Sequence, residues 1–194
     1  ALYVVDMNGD QLNDILVSLD GLQFYENTGN GLVHSGRLLS INTEKPMVVA
    51  DVDGDSLPDI IAGKPGYNGG SVEIYKQNSD FTFSFMDSLY GKKGSVMVSE
   101  MNLNQDEKPD LLTIESYSGM AYVYENKGEF EFIKVDSFDM EESVFAMAVG
   151  DFDPDGYDDF AVSLFSGQVI VFQNQQNGHF ERKYSGSDIG VCFD

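Results

Sequence analysis

One nine-residue pattern occurs four times in this chain, and that recurrence restricts the fold more than any other feature. The copies are Asp6-Met-Asn-Gly-Asp-Gln-Leu-Asn-Asp14, Asp51-Val-Asp-Gly-Asp-Ser-Leu-Pro-Asp59, Asn102-Leu-Asn-Gln-Asp-Glu-Lys-Pro-Asp110 and Asp151-Phe-Asp-Pro-Asp-Gly-Tyr-Asp-Asp159. They align without gaps at a period of roughly 50 residues, which marks a repeat architecture in which each copy is one supersecondary unit.

The flanks repeat as well. Short apolar runs precede each pattern (Leu2 to Val5, Met47 to Ala50, Val96 to Val98, Phe145 to Val149) and follow it (Ile15 to Leu19, Ile60 to Ala62, Leu111 to Ile114, Phe160 to Leu164). They are too short for helices, rich in Val and Ile, and bounded by Gly, Asn and Asp, so they read as largely buried strands. A third, alternating run ends in Asn at Asn27, Asn78, Asn126 and Asn174. A fourth starts near an aromatic at Phe81, Phe130 and Phe180, and lies around Val33 to Leu39 in the first copy. Four short antiparallel strands per unit predict an all-β chain of propeller blades. A two-sheet sandwich would not require the same loop at the same place in every unit.

The repeats run approximately over residues 1–45, 46–95, 96–145 and 146–188, with 189–194 opening a fifth. The run Ile189-Gly-Val-Cys-Phe-Asp194 repeats the first strand and stops where another loop would start. A closed four-bladed ring has no slot for it. The expectation is therefore that residues 1–194 are part of one larger propeller, of seven or eight blades. The single cysteine, Cys192, lies in this apolar run and forms no internal disulfide.

Within the nine-residue loop, positions 1, 3, 5 and 9 carry Asp or Asn in every copy. Side-chain oxygens at alternate positions of a tight loop converge on a point, and the backbone carbonyl of position 7 joins them. The candidate ligands are Asp6, Asn8, Asp10, Leu12 and Asp14 in the first loop, and Asp51, Asp53, Asp55, Leu57 and Asp59 in the second. They are Asn102, Asn104, Asp106, Lys108 and Asp110 in the third, and Asp151, Asp153, Asp155, Tyr157 and Asp159 in the fourth. An all-oxygen set suits a hard cation with six to eight ligands, Ca2+ ahead of Mg2+, and the absence of nitrogen and sulfur donors disfavours zinc and copper. An EF-hand also begins Asp-x-Asp-x-Asp, but it needs helical flanks and a glutamate at position 12, where this chain has Val17, Ala62, Thr113 and Val162. Asx turns alone are the other reading of such loops; four copies in register favour metal.

Composition agrees. The chain carries 33 Asp and Glu against 11 Lys and Arg, a net charge of −22. That balance argues against nucleic acid and anionic membrane surfaces as partners, since both require a basic face. Much of the acid is held in the loops between strands, where a bound cation would cancel it.

The unit resembles the FG-GAP/VCBS repeats of integrin alpha-subunit propellers and of many surface proteins. The resemblance rests on the four loops, the following Asp59-Ile-Ile-Ala-Gly63 strand and segments such as Asn174-Gln-Gln-Asn-Gly-His-Phe180. It departs from the family in the third loop, where Asn102 and Asn104 replace acids and Gln105 stands in the place of Gly9 and Gly54. It implies up to four Ca2+ ions and an extracellular or cell-surface setting. Counting carboxylates, four in the second and fourth loops, three in the first and two in the third, makes the third site the weakest. Three functions follow as expectations. The favoured one is a binding or adhesion module for a protein or glycan, without insertion of this segment into a membrane. The alternatives are the propeller part of a polysaccharide lyase or hydrolase, and a scaffold subunit of a surface assembly. An enzyme would need an acid/base pair beyond the loops, and the only histidines, His34 and His179, sit near hairpin turns of different repeats with no evident partner.

Overall fold

Runs of four to eight residues rich in Val, Ile and aromatics cannot bury a helical face, but they pair readily as strands. The computed structural model describes residues 2–19, 21–39, 47–66, 70–90, 96–176 and 178–186; the run opening a fifth repeat, with Cys192, lies outside them. Among the described residues there are four four-stranded antiparallel sheets and no helix.

The first sheet contains β1 (Leu2–Val5), β2 (Asp14–Ser18), β3 (Leu22–Asn27) and β4 (Leu32–Leu39). The second contains β5 (Met47–Ala50), β6 (Asp59–Lys64), β7 (Ser71–Gln77) and β8 (Phe83–Tyr90). The third contains β9 (Val96–Met101), β10 (Asp110–Glu115), β11 (Met120–Asn126) and β12 (Phe132–Asp139). The fourth contains β13 (Val144–Gly150), β14 (Asp159–Leu164), β15 (Val169–Asn174) and β16 (Phe180–Gly186). Strand order equals chain order in every sheet, so each repeat is a meander of propeller-blade type.

The core lies between blades. Met7, Leu16, Leu22 and Phe24 of the first blade meet Met47, Ile60 and Ala62 of the second. Val48, Ile61, Val72 and Ile74 meet Val96, Val98, Leu111 and Phe130. Leu112, Ile114, Ala121 and Val123 meet Phe160, Val162, Ile170 and Phe172, with Phe160 and Phe172 stacked at 4.6 Å. Period-two alternation thus serves both flanks of a blade: on β11, Ala121 and Val123 face the fourth blade while Tyr124 packs toward the second. The β10 strand, flanked on both sides, is buried at every residue.

The expected burial of the first strands fails in the end blades. Leu2 and Val4 of β1 and Phe145 of β13 are exposed, because one flank of each end blade meets no neighbouring blade among the described residues. The fourth strands are the least buried, and each is bulged at one corresponding point, opposite Phe24/Tyr25, Ile74/Tyr75, Val123/Tyr124 and Val171/Phe172. A bulge on an edge strand raises its twist and makes it a poor template for further pairing.

Candidate metal centres

Position 9 of each loop opens the second strand of its blade, and its carboxylate is buried in all four: Asp14, Asp59, Asp110 and Asp159. One oxygen accepts the backbone N–H of position 2, from Met7, Val52, Leu103 and Phe152, at 3.0 Å in each blade. The other accepts the backbone N–H that ends the third strand: Asn27, Asn126 and Asn174 at 2.8 Å and Gln77 at 2.9 Å. The aspartate therefore clips loop to sheet. The second blade corrects the register read from its terminal Asn: the equivalent of Asn126 is Gln77, not Asn78. Burial pushes the Asp59 and Asp110 carboxyls up to about 6, against the two N–H donors that lower each.

Positions 1, 3 and 5 form nested Asx turns. Asp6 accepts N–H bonds from Gly9 and Gln11, and Asp51 from Gly54, Asp55 and Ser56. Asp10, Asp55, Asp106 and Asp155 each accept the N–H of position 7 at 2.8–3.1 Å. The loops bend through left-handed residues: Gly9, Gly54 and Gln105 at position 4, and Gln11, Ser56, Glu107 and Gly156 at position 6. The third loop thus places two non-glycine residues where glycine is favoured.

These turns aim side chains inward. One oxygen each from Asp51, Asp53 and Asp59 lie within 4.8 Å of one another, and so do those of Asp151, Asp153 and Asp159. Among the described residues, these are the groups of three or more acidic, His or Cys side chains so placed. Ligands about 2.3–2.6 Å from a calcium ion stand no more than about 5 Å apart, so both triads fit an oxygen-bound cation. Positions 1, 3 and 9 converge; Asp55 and Asp155 at position 5 stand outside the triads. In the first and third loops position 3 is Asn8 or Asn104, and neither loop holds such a triad of acids.

The third loop is also tied sideways to the fourth. The side chains of Asn102 and Gln105 both donate to the Gly156 carbonyl, at 3.1 and 3.0 Å. The Asn102 N–H donates to Asp158 at 2.7 Å, and the Asp158 N–H returns to the Asn102 carbonyl at 2.9 Å. An aspartate at 102 could not make the side-chain donation, which is a physical reason for Asn there.

Sequence reasoning missed the residue one before the end of each third strand: Glu26, Lys76, Glu125 and Gln173. Lys76 Nζ bonds Asp53, and Asp55 at 2.5 Å; Gln173 Nε2 bonds Asp153. Glu125 accepts from the Asn104 amide at 2.9 Å, and Glu26 lines one cleft with Asn8. The electrostatics of the two acidic loops differ accordingly. Asp55 is held below the usual carboxylate range, first by its hydrogen bond to Lys76. Asp153 is raised by desolvation and by its neighbours Asp155, Asp159 and Asp151. Alignment on the terminal Asn put Gln77, not Lys76, at this position in the second copy, and the direction of these side chains toward the loop is a property of the fold.

The histidines have neighbours the sequence did not reveal. His34 Nε2 lies 3.2 Å from Gln23 Oε1, and its ring lies 4.9 Å from that of Tyr25; His179 Nδ1 is 3.6 Å from Asp136. They remain in separate blades.

The chain is similar over its full length to a protein from Lactobacillus plantarum of known crystal structure, with 15% identity, 68% of that protein covered and a TM-score of 0.48. The family model described as FG-GAP-like repeat matches residues 6–62 and 102–162, which include all four loops. With more than half of its length matched, the chain belongs to the FG-GAP-like repeat family.

Proposed function

We propose that this chain is a calcium-stiffened arc of a larger propeller, of seven or eight blades, acting outside the cell as a binding or adhesion module for a protein or glycan. The observation that carries the metal assignment is the convergence of Asp51, Asp53 and Asp59, and of Asp151, Asp153 and Asp159, each within 4.8 Å. Crowded carboxylates repel one another, and a divalent cation reverses that sign. Family membership supports the same assignment.

The chain's own residues would carry the effect of the metal into the blade junctions. Position 9 would hold the ion and already receives the N–H ending the third strand. The side chain of that same residue reaches the preceding blade: Gln77 to the Met7 carbonyl at 2.9 Å, and Asn126 to Val52 and Asn174 to Leu103 at 3.0 Å. Fixing position 9 thus fixes a strand end that is tied to the loop of the preceding blade. Loops held in this way form a preorganised rim, and extended repeat surfaces are common binding faces. Calorimetric titration with calcium tests the metal. A glycan array probed in calcium and in chelator tests the ligand class: calcium-dependent retention on the array supports a glycan-binding module, and retention indifferent to chelator counts against it.

A further inference from the structure

We propose that the residue before the last of each third strand sets the cation affinity of its loop, and that Lys76 is a tethered cation which competes with calcium in the second loop. This rests on the metal reading above and goes beyond it.

The four blades share one arrangement. The side chain at position 3 and the strand residue facing it make up the pairs Asn8 and Glu26, Asp53 and Lys76, Asn104 and Glu125, Asp153 and Gln173. Each pair contains one carboxylate. Where position 3 is neutral, the strand supplies the acid; where position 3 is acidic, the strand supplies a donor. Counting acids along the loop alone therefore misjudges the sites. In the first blade Glu26 lines a cleft with Asn8 and accepts a hydrogen bond from Ser35 at 3.2 Å, so the acid there stands on the strand. The second and fourth loops have the same four aspartates, yet Lys76 cancels one charge in the second, while Gln173 is neutral.

The geometry places the ammonium as a substitute ion. Lys76 Nζ bonds Asp53, a member of the convergent triad, and also Asp55, and it lies 5.5 Å from the centre of the Phe130 ring of the next blade. Its side chain is about three-quarters covered. A metal that takes the Asp53 oxygen must displace Lys76 or bind beside it, and both weaken the site. In the third loop Glu125 is shared with Asn104 and with Lys127 Nζ at 2.5 Å, so its charge is already spoken for. The order of affinity becomes the fourth loop ahead of the second, with the third last.

The test exchanges the facing residues. Lys76→Gln copies the fourth blade into the second, and Gln173→Lys does the reverse. Each variant and the natural chain are titrated with calcium chloride by calorimetry and melted in excess chelator. The expected result is that Lys76→Gln tightens one site by at least about tenfold and Gln173→Lys weakens a different one by at least about tenfold, as befits one charge at contact distance. In chelator Lys76→Gln melts lower than the natural chain, because the second loop loses its counter-ion; in saturating calcium it melts at the same temperature or higher. Calcium binding that neither substitution changes overturns this inference and leaves the metal reading standing. No calcium binding by any of the three proteins overturns both.

Discussion

The side-chain amide of Asn126 donates to the carbonyl of Val52 at 3.0 Å, across the junction between the second and third blades. Its backbone N–H donates at 2.8 Å to Asp110, which also holds the N–H of Leu103. The Leu103 carbonyl in turn accepts from Asn174 of the fourth blade. One belt of hydrogen bonds therefore passes from loop to loop, and Asn126, Val52, Asp110, Leu103 and Asn174 are all buried. In the first blade the corresponding amide, of the less buried Asn27, bonds within its own blade to the Asn13 carbonyl at 3.1 Å.

Asn126→Ala leaves the buried Val52 carbonyl without that donor, at a cost of about 1–3 kcal/mol. Asn27→Ala, made at an exposed bond, costs less than about 1 kcal/mol. Urea denaturation of both variants checks the difference. Equal losses would mean that the belt adds nothing beyond the local turn.

The position-9 aspartates have a structural role that does not depend on metal. Asp59→Ala and Asp110→Ala each strand two backbone N–H groups, so each destabilises the chain by about 2 kcal/mol or more even in chelator. Asp55→Ala, outside the convergent triad and partly exposed, has a much smaller effect in chelator. Melting curves in chelator rank the three variants, and a silent Asp59→Ala would refute the clip.

How much of this was legible beforehand depended on whether a feature is local. The strand runs, the four loops and the alternating third strands followed from periodicity alone, and the sheets match them to within a few residues. Local patterning could not show which residues face across a junction. Asn78 looked like the strand end because it matches Asn126 in type, yet Gln77 takes the place, its longer amide still reaching Met7. Asn102 and Asn104 looked like weakened ligands. Asn102 is also a bridge to Gly156 in the next loop, a partner 54 positions away that no window of sequence contains. Lys76 looked like one alternating polar residue among many until the fold turned it onto Asp53.

On the proposed metal reading, chelation of calcium should lower the melting temperature. One site at free calcium ten times its Kd contributes about 1.4 kcal/mol by mass action, and several filled sites contribute proportionately. The third loop adds least, since the Asn102 side chain is engaged with Gly156 and Lys108 Nζ stands 3.8 Å from Asp106. Asp106→Ala should therefore leave the calcium-induced shift almost unchanged, whereas Asp153→Ala should reduce it. Identical melting with calcium and with chelator would rule out a structural role for the ion.

In chelator, stability should fall as pH rises. Burial holds the Asp59 and Asp110 carboxyls at about 6, above the ordinary 3.8, so each binds its proton more tightly in the folded chain than in the unfolded one. The stability this contributes is complete below 3.8 and is lost as pH rises through about 6. Calcium, which requires the ionised form, reverses the trend over the same window. Denaturation midpoints from pH 4 to 7, with and without calcium, give the two slopes, and parallel slopes would contradict the assignment.

Gly63 on β6 reports how closely the blades approach. A Cβ built there would stand 2.0 Å from the backbone carbonyl oxygen of Val96, at the start of β9 in the next blade. Its backbone is ordinary strand, so what demands glycine is space and not conformation. The obstructing atom is main chain and cannot rotate aside as a side chain would. Gly63→Ala must therefore push the second blade from the third or distort β9, at a cost of about 2 kcal/mol or more. The core formed by Ile61, Val72, Val96 and Leu111 would loosen with it. Hydrogen exchange should show lost protection along β6 and β9 while β15, in the fourth blade, keeps its own. Uniform loss of protection across all four blades would mean that they unfold as one unit and that this junction has no separate stability.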